Sequence, residues 1–237
     1  MNLIILFEND FIDDTHQHVL FCGRRKEHII SVFKAEIGKS LKVGLLNGST
    51  GTGIIEKIGS SEIEMSVTLT ESPPPPLPIK LIMALPRPKS LKKAIEAASS
   101  LGIKEIYLIE SRRVENSFWS SPVISKESLD EHLILGLEQA RDTIMPSISI
   151  KRRFKPFIED EVSSIIKGTQ AFVAHPYNTQ PCPFALNTPL TIAIGPEGGF
   201  IPYEIELFKK YGFRPISLGT RILRVENAIP FLVGRIF

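Results

Sequence analysis

The sequence predicts an α/β protein, with a small N-terminal β-barrel ahead of a mainly parallel sheet covered by helices. Three observations predict it. Pro73, Pro74, Pro75, Pro76 and Pro78 form a run that adopts extended polyproline II and joins neither a helix nor a central strand. It reads as a stiff linker, 73–78, between a domain of residues 1–72 and one of residues 79–237. Ahead of it lie short strand-like pieces. Behind it, apolar strands alternate with amphipathic helices, the pattern of a parallel sheet.

The elements follow in order. Residues 40–46 are rich in apolar side chains and end at Asn47-Gly48, a hairpin turn signal. Strands over 53–58 and 63–69 come next, the latter partly alternating. Beyond the linker, 79–85 is an apolar strand. Ser90 can cap a helix whose Leu91, Ala94, Ile95, Ala98 and Leu101 share a face, with Gly102 past its end. A strand over 105–109 follows, then a second helical stripe of Leu129, Leu133, Leu137 and Ala140. A strand over 170–174 ends at His175-Pro176.

Composition sets bounds. The 237 residues are 43% hydrophobic and 23% charged, ordinary for a globular protein. No apolar run approaches the ~20 residues that cross a bilayer. The apolar start is interrupted by Glu8 and Asp10 and has no basic leader region, so no signal peptide is expected. Cys22 and Cys182 form no Cys-x-x-Cys pair, which fits a cytoplasmic protein with two reduced thiols. No His/Cys cluster has metal-ligand spacing, so no metal is expected. Net charge is only +2, but unevenly spread. Residues 1–72 hold 7 Lys/Arg against 10 Asp/Glu, and the remainder 21 against 16. Basic clusters stand at Arg24-Arg25-Lys26, at Arg112-Arg113, and at Lys151-Arg152-Arg153-Lys155. The first two are candidate phosphate contacts. The last reads as a solvated loop.

The most informative stretch is 190–200. Leu190 to Ile194 is a buried strand. Gly195-Pro196-Glu197-Gly198-Gly199-Phe200 is a loop with few side chains and one carboxylate. A helix follows, with Pro202 in its first turn. Strand, glycine loop and helix together let backbone approach a ligand closely. Neither G-x-x-x-x-G-K-[ST] nor G-x-G-x-x-G is present, and Glu197 repels a pyrophosphate unless it turns outward. An adenosyl ligand with a cationic centre and no phosphate meets no such conflict. S-adenosylmethionine fits that description.

A second segment sharpens this reading. Residues 213–219 form a short strand ending at Leu218-Gly219. Thr220-Arg221-Ile222-Leu223-Arg224-Val225-Glu226-Asn227-Ala228 places two arginines and a glutamate among apolar side chains. Such alternation buries one set and aims the other at a site or at solvent. The plain alternative is a surface ion-pair cluster at a helix start.

The two segments, 194–200 and 218–228, resemble the two signatures of the RsmE family. These are SPOUT-class methyltransferases acting on uridine N3 in 16S ribosomal RNA. Weaker matches lie in the same order along the chain: His28 to Lys34, Lys92 to Ile103, Glu138 to Arg141 with Pro146, and Ala174-His175-Pro176. The chain departs from the family at Asn227, where threonine is usual, and at Ser31 and Lys34, where arginines are usual. Its N-terminus also lacks the family's arginine.

The resemblance implies a C-terminal SPOUT domain with a deep trefoil knot, an N-terminal PUA-like RNA-binding barrel, and a homodimer. It implies S-adenosylmethionine held by His175, Pro176, Ile194, Gly195, Pro196, Glu197, Gly198, Gly199, Phe200, Leu218, Gly219, Ile222, Leu223 and Asn227. RNA contacts are expected from Arg24, Arg25, Lys34, Arg112 and Arg113. Uracil N3 is a weak nucleophile until it loses its proton, and a guanidinium beside the carbonyls stabilises the anion. Arg224 is the first candidate and Arg221 the second. Glu226 is read as orienting an arginine, since a carboxylate beside arginines is a weak base. The substrate base is expected unpaired or flipped, because pairing hides N3. Two rival readings stand beside this one. One is a SPOUT enzyme methylating ribose 2′-hydroxyls, and the other is a non-catalytic RNA-binding assembly factor.

Overall fold

The structure is a computed structural model. It describes residues 2–177 and 179–237; the side chains of Arg24 and Phe33 lie outside the described residues. It is a mixed α/β fold with two sheets. The chain divides into two compact units, Met1–Pro75 with Leu137–Met145, and Pro76–Gly136 with Pro146–Phe237. No helix among the described residues is long and apolar enough to cross a membrane.

The first unit is built on β1 (Ile4–Leu6), β2 (His18–Cys22), β3 (Ser40–Leu45), β4 (Thr50–Ile58) and β5 (Glu62–Glu71), with α1 (Gly23–Phe33). The sheet order is β1-β3-β4-β5-β2. In it β1 and β3 pair in parallel, and the other pairs are antiparallel. Asn47, at a φ of 61°, turns β3 into β4, as the Asn-Gly signal predicts. Alternation along β2 and β5 sends Val19, Phe21, Ile63, Met65 and Val67 into one core with Leu6, Val43 and Ile55.

The second unit carries a seven-stranded sheet. Its strands are β6 (Ile79–Ala84), β7 (Glu105–Ile109), β8 (Ser147–Lys151), β9 (Gln170–Ala174), β10 (Gln180–Pro181), β11 (Leu190–Ile194) and β12 (Arg214–Ser217). Every pairing is parallel, in the order β10-β12-β9-β11-β6-β7-β8. The central β11 is buried at every residue, hence its unbroken apolar run. Its one polar member, Thr191, shares a 2.8 Å hydrogen bond with Thr169.

Helices accompany the sheet. They are α2 (Pro88–Ser100), α3 (Lys126–Ala140), two short turns α4 (Phe154–Pro156) and α5 (Val162–Ile165) joined by a π-helical stretch, α6 (Pro202–Lys210) and α7 (Val225–Ile236). The helix α2 buries Leu91, Ala94, Ile95 and Ala98, and α7 packs against it. Its start differs from expectation: Pro88 occupies the first turn, and Ser90 lies inside the helix. The basic cluster after β8 is paired rather than simply solvated. Lys151 meets Glu161 at 2.6 Å, and Arg152 stands 4.7 Å over the ring of the buried Trp119.

Candidate active site

Parallel strands place all their carboxyl ends on one edge, and the loops leaving that edge make a crevice. Here the loops after β9, β11 and β12 and the start of α7 enclose one cleft of ≈ 200 Å³.

Pro196 to Gly199 form a tight turn, closed by the Gly199 N–H donating to the Pro196 carbonyl at 2.7 Å. Gly199 has a φ of 69° and Gly219 of 109°, values that favour glycine. A Cβ at Gly195 would lie 2.9 Å from the Phe200 nitrogen, so the loop closes on its own backbone. The Glu197 carboxylate does turn aside, and accepts the Arg87 N–H at 3.0 Å. The following helix α6 is fixed by Glu204, only 2% exposed. Its Oε1 accepts the Arg112 N–H at 2.8 Å and its Oε2 the Ile201 N–H at 2.9 Å. One buried carboxylate thus ties the loop after β7 to the entry of α6.

The cleft gathers His175, Pro176, Ile194, Gly195, Pro196, Glu197, Gly198, Gly199, Leu218, Gly219, Arg221, Ile222 and Leu223. Ala174, Tyr177, Val225 and Ala228 also line it. Phe200 is not among them. It is buried in an aromatic cluster with Phe154 and Phe208, the latter 5.0 Å away. Arg224, Glu226 and Asn227 are not lining residues either. Arg224 precedes α7, and its carbonyl accepts the Asn227 and Ala228 N–H groups. Among the described residues Glu226 is in no ion pair with either arginine, and its Oε2 is buried without a hydrogen-bond partner. The orienting contact expected of it is therefore absent in this geometry.

Arg113 enters the site from an unexpected direction. Its guanidinium donates to the Gly198 carbonyl, and its stem lies against that glycine. Adjacency to Arg112 in sequence hides this difference, since Arg112 lines a separate cleft. Of the other expected RNA contacts, Arg25 is held internally. It donates to Asp10 at 2.7 Å and to the Ile5 carbonyl at 2.6 Å, with its guanidinium over Phe7 and Phe21. Lys34 is exposed at the end of α1. The side chain of Arg24 lies outside the described residues.

His175 supplies a polar, uncharged wall. Burial, aided by the Arg113 charge, holds its imidazole below its ordinary value of 6.5, so it is neutral at pH 7. Its Nδ1 is buried and has no partner among the described residues. Glycine backbone, apolar Ile194 and Leu223, and buried polar atoms awaiting partners suit a nucleoside without phosphate. Among the described residues, no group of three or more His, Cys, Asp or Glu side chains is placed to hold a metal.

A family model described as an RNA methyltransferase domain matches residues 73–236. Ribosomal RNA small subunit methyltransferase E of Treponema pallidum is 30% identical over 231 residues, covering 95% of this chain and 86% of that one. The chain belongs to the ribosomal RNA small subunit methyltransferase E family. The member from Mesomycoplasma hyopneumoniae is 29% identical, over 96% of this chain and 94% of its own. The family's crystal structure from Neisseria gonorrhoeae, bound to S-adenosyl methionine, shares this fold. Its TM-score is 0.73 at 17% identity, covering 99% of this chain and 94% of that one.

Proposed function

We propose that this protein transfers the methyl group of S-adenosylmethionine to N3 of a uridine in 16S ribosomal RNA. The observation that carries the reading is the cleft itself. A glycine-rich loop, 195–199, and a second loop, 218–223, that turns at Gly219 close on one space in a chain of this family. The loop glycines and the unpaired His175 Nδ1 are suited to the adenosyl and amino-acid parts of the cofactor. When bound, the cofactor supplies an electrophilic methyl group.

The chain's own residues then have three tasks. Ile194, Ile222 and Leu223, which line the cleft, would hold the adenine. Arg221, which lines the cleft, and Arg224 beside it stabilise the anion left when uracil N3 loses its proton. Glu226, with its unpartnered Oε2, remains as a polar anchor or a proton acceptor. The neutral His175 would add no positive charge against a cationic cofactor.

The reading extends to the whole chain. The C-terminal loops form a trefoil knot, as the resemblance to the family implies. The first unit is a PUA-like barrel that binds RNA. The protein acts as a homodimer in the cytoplasm.

Mass spectrometry of digested 16S RNA from a strain lacking this gene tests the reading. The expected result is loss of 3-methyluridine, restored by the wild-type gene. Persistence of 3-methyluridine with loss of a 2′-O-methyl nucleoside would move the protein to the ribose specificity instead.

A further inference from the structure

A second cleft, of ≈ 450 Å³, lies beside the first. The two share a wall. Arg113 lines the cofactor cleft, while its neighbours Arg112 and Val114 line this one. Likewise Gly199 faces the first and Ile201 the second.

Aromatic, cationic and hydroxyl groups meet in the second cleft, beside the carboxylates of Glu110 and Glu204. Tyr203, in the first turn of α6, is 52% exposed and offers an aromatic surface. Phe154 stands half-buried beside it in the lining, its ring packed on Phe208 at 5.5 Å. Arg112 and Lys155 supply positive charge. Among the described residues the Arg112 guanidinium is in no ion pair, and Lys155 meets only Glu159, at 3.8 Å on the surface. Ser111 is 4% exposed, and its Oγ has no hydrogen-bond partner. A buried hydroxyl left unpaired is costly, which marks a place for a ligand atom.

Exposed aromatic surface, two cations and an unpaired hydroxyl are the chemistry that holds single-stranded nucleotides. We propose that this cleft receives a nucleotide neighbouring the methylated uridine. Its base stacks at Tyr203 and Phe154, and its phosphate meets Arg112 and Lys155. The Glu110 carboxylate, also in the lining, accepts from an exocyclic amino group and so favours adenine, cytosine or guanine there. Holding this neighbour fixes the strand across Arg113 and aligns the next base with the cofactor. The proposal rests on the reading of the protein as an RNA methyltransferase.

The test uses the full chain with Tyr203→Ala, Arg112→Gln and, as the conservative control, Tyr203→Phe. Affinity is read by fluorescence anisotropy with a short single-stranded RNA containing one uridine, and calorimetry follows S-adenosylmethionine binding. Tyr203→Ala and Arg112→Gln are each expected to weaken RNA binding about tenfold, while Tyr203→Phe matches wild type. Cofactor affinity stays unchanged in all three. If Tyr203→Ala also loses the cofactor, it is misfolded, and the exposed Arg112→Gln decides. RNA affinity equal to wild type in Arg112→Gln, or in a Tyr203→Ala that keeps the cofactor, overturns the proposal. So does a loss seen only with intact small subunits and not with naked RNA, because the cleft then takes a protein segment. Failure of the broader reading looks different: the wild-type protein itself would methylate no small-subunit RNA.

Discussion

At Gly195 and Gly198 the same added methyl group meets different neighbours. At Gly195 it meets backbone, the Phe200 nitrogen at 2.9 Å and the Gly199 Cα at 3.1 Å. At Gly198 it meets the Arg113 side chain, with Cδ at 3.0 Å. Side chains yield and a closed turn does not. Gly195→Ala is therefore expected to weaken S-adenosylmethionine at least tenfold in calorimetry, at a stability cost of about 1–3 kcal/mol. Gly198→Ala should bind within a few-fold of wild type, and the bulkier Gly198→Val should abolish binding. Equal effects of the two alanines would mean that the turn is softer than its geometry implies. His175 carries a second expectation. Its folded value lies below 6.5, so its stabilising effect is complete above 6.5 and is lost as pH falls towards the folded value. Protonation there also sets a positive charge beside a cationic ligand. Cofactor affinity should accordingly fall on acidification below 6.5, and His175→Asn should flatten that dependence. A pH-independent wild type would remove His175 from the cleft's electrostatics.

Among the elements, α6 depends most on a single side chain. Glu204 satisfies two N–H groups that belong to different segments, Arg112 and Ile201. Glu204→Ala strands both donors and should cost about 2–4 kcal/mol in urea unfolding. Glu204→Gln keeps one acceptor oxygen and should lose roughly half as much. This tie also marks the limit of sequence reading. The apolar runs of β6 and β11 and the helical stripe of α2 are plain in the sequence, because burial on both sides or on one face writes itself into the pattern. The three-residue β1 carries no period, and α1 opens on Gly23 with no side-chain cap. The segment around α4 and α5 holds Pro156 and a π-helical stretch, and gives no clear signal. At the site, the two loops are legible because glycine there has a steric reason. The placement of Arg113 is not, since a basic pair in sequence says nothing about which cleft each member enters. Phe200 follows the glycine loop in sequence but leaves it for the aromatic core.

At the scale of the molecule, charge and its partners decide how RNA binding should respond to salt. The chain carries a net +2, with the basic excess beyond residue 72. A guanidinium counts towards phosphate binding only when no internal acceptor neutralises it. Arg25 fails that condition, since Asp10 and the Ile5 carbonyl hold it between two aromatic rings. Arg112 meets it, and Lys155 nearly does. Removing one cation that neutralises a phosphate lowers the slope of log affinity against log salt by about 1. The double variant Arg112→Gln, Lys155→Gln should therefore flatten the slope by about 2. Arg25→Gln should leave the slope unchanged and instead lower the stability of the first unit by about 1–3 kcal/mol, the worth of hydrogen bonds from a charged group. Anisotropy titrations across a salt series, with thermal melts of the same samples, separate the two outcomes. A flattened slope in Arg25→Gln would return that residue to the RNA-binding surface, and an unaltered slope in the double variant would remove the second cleft from it.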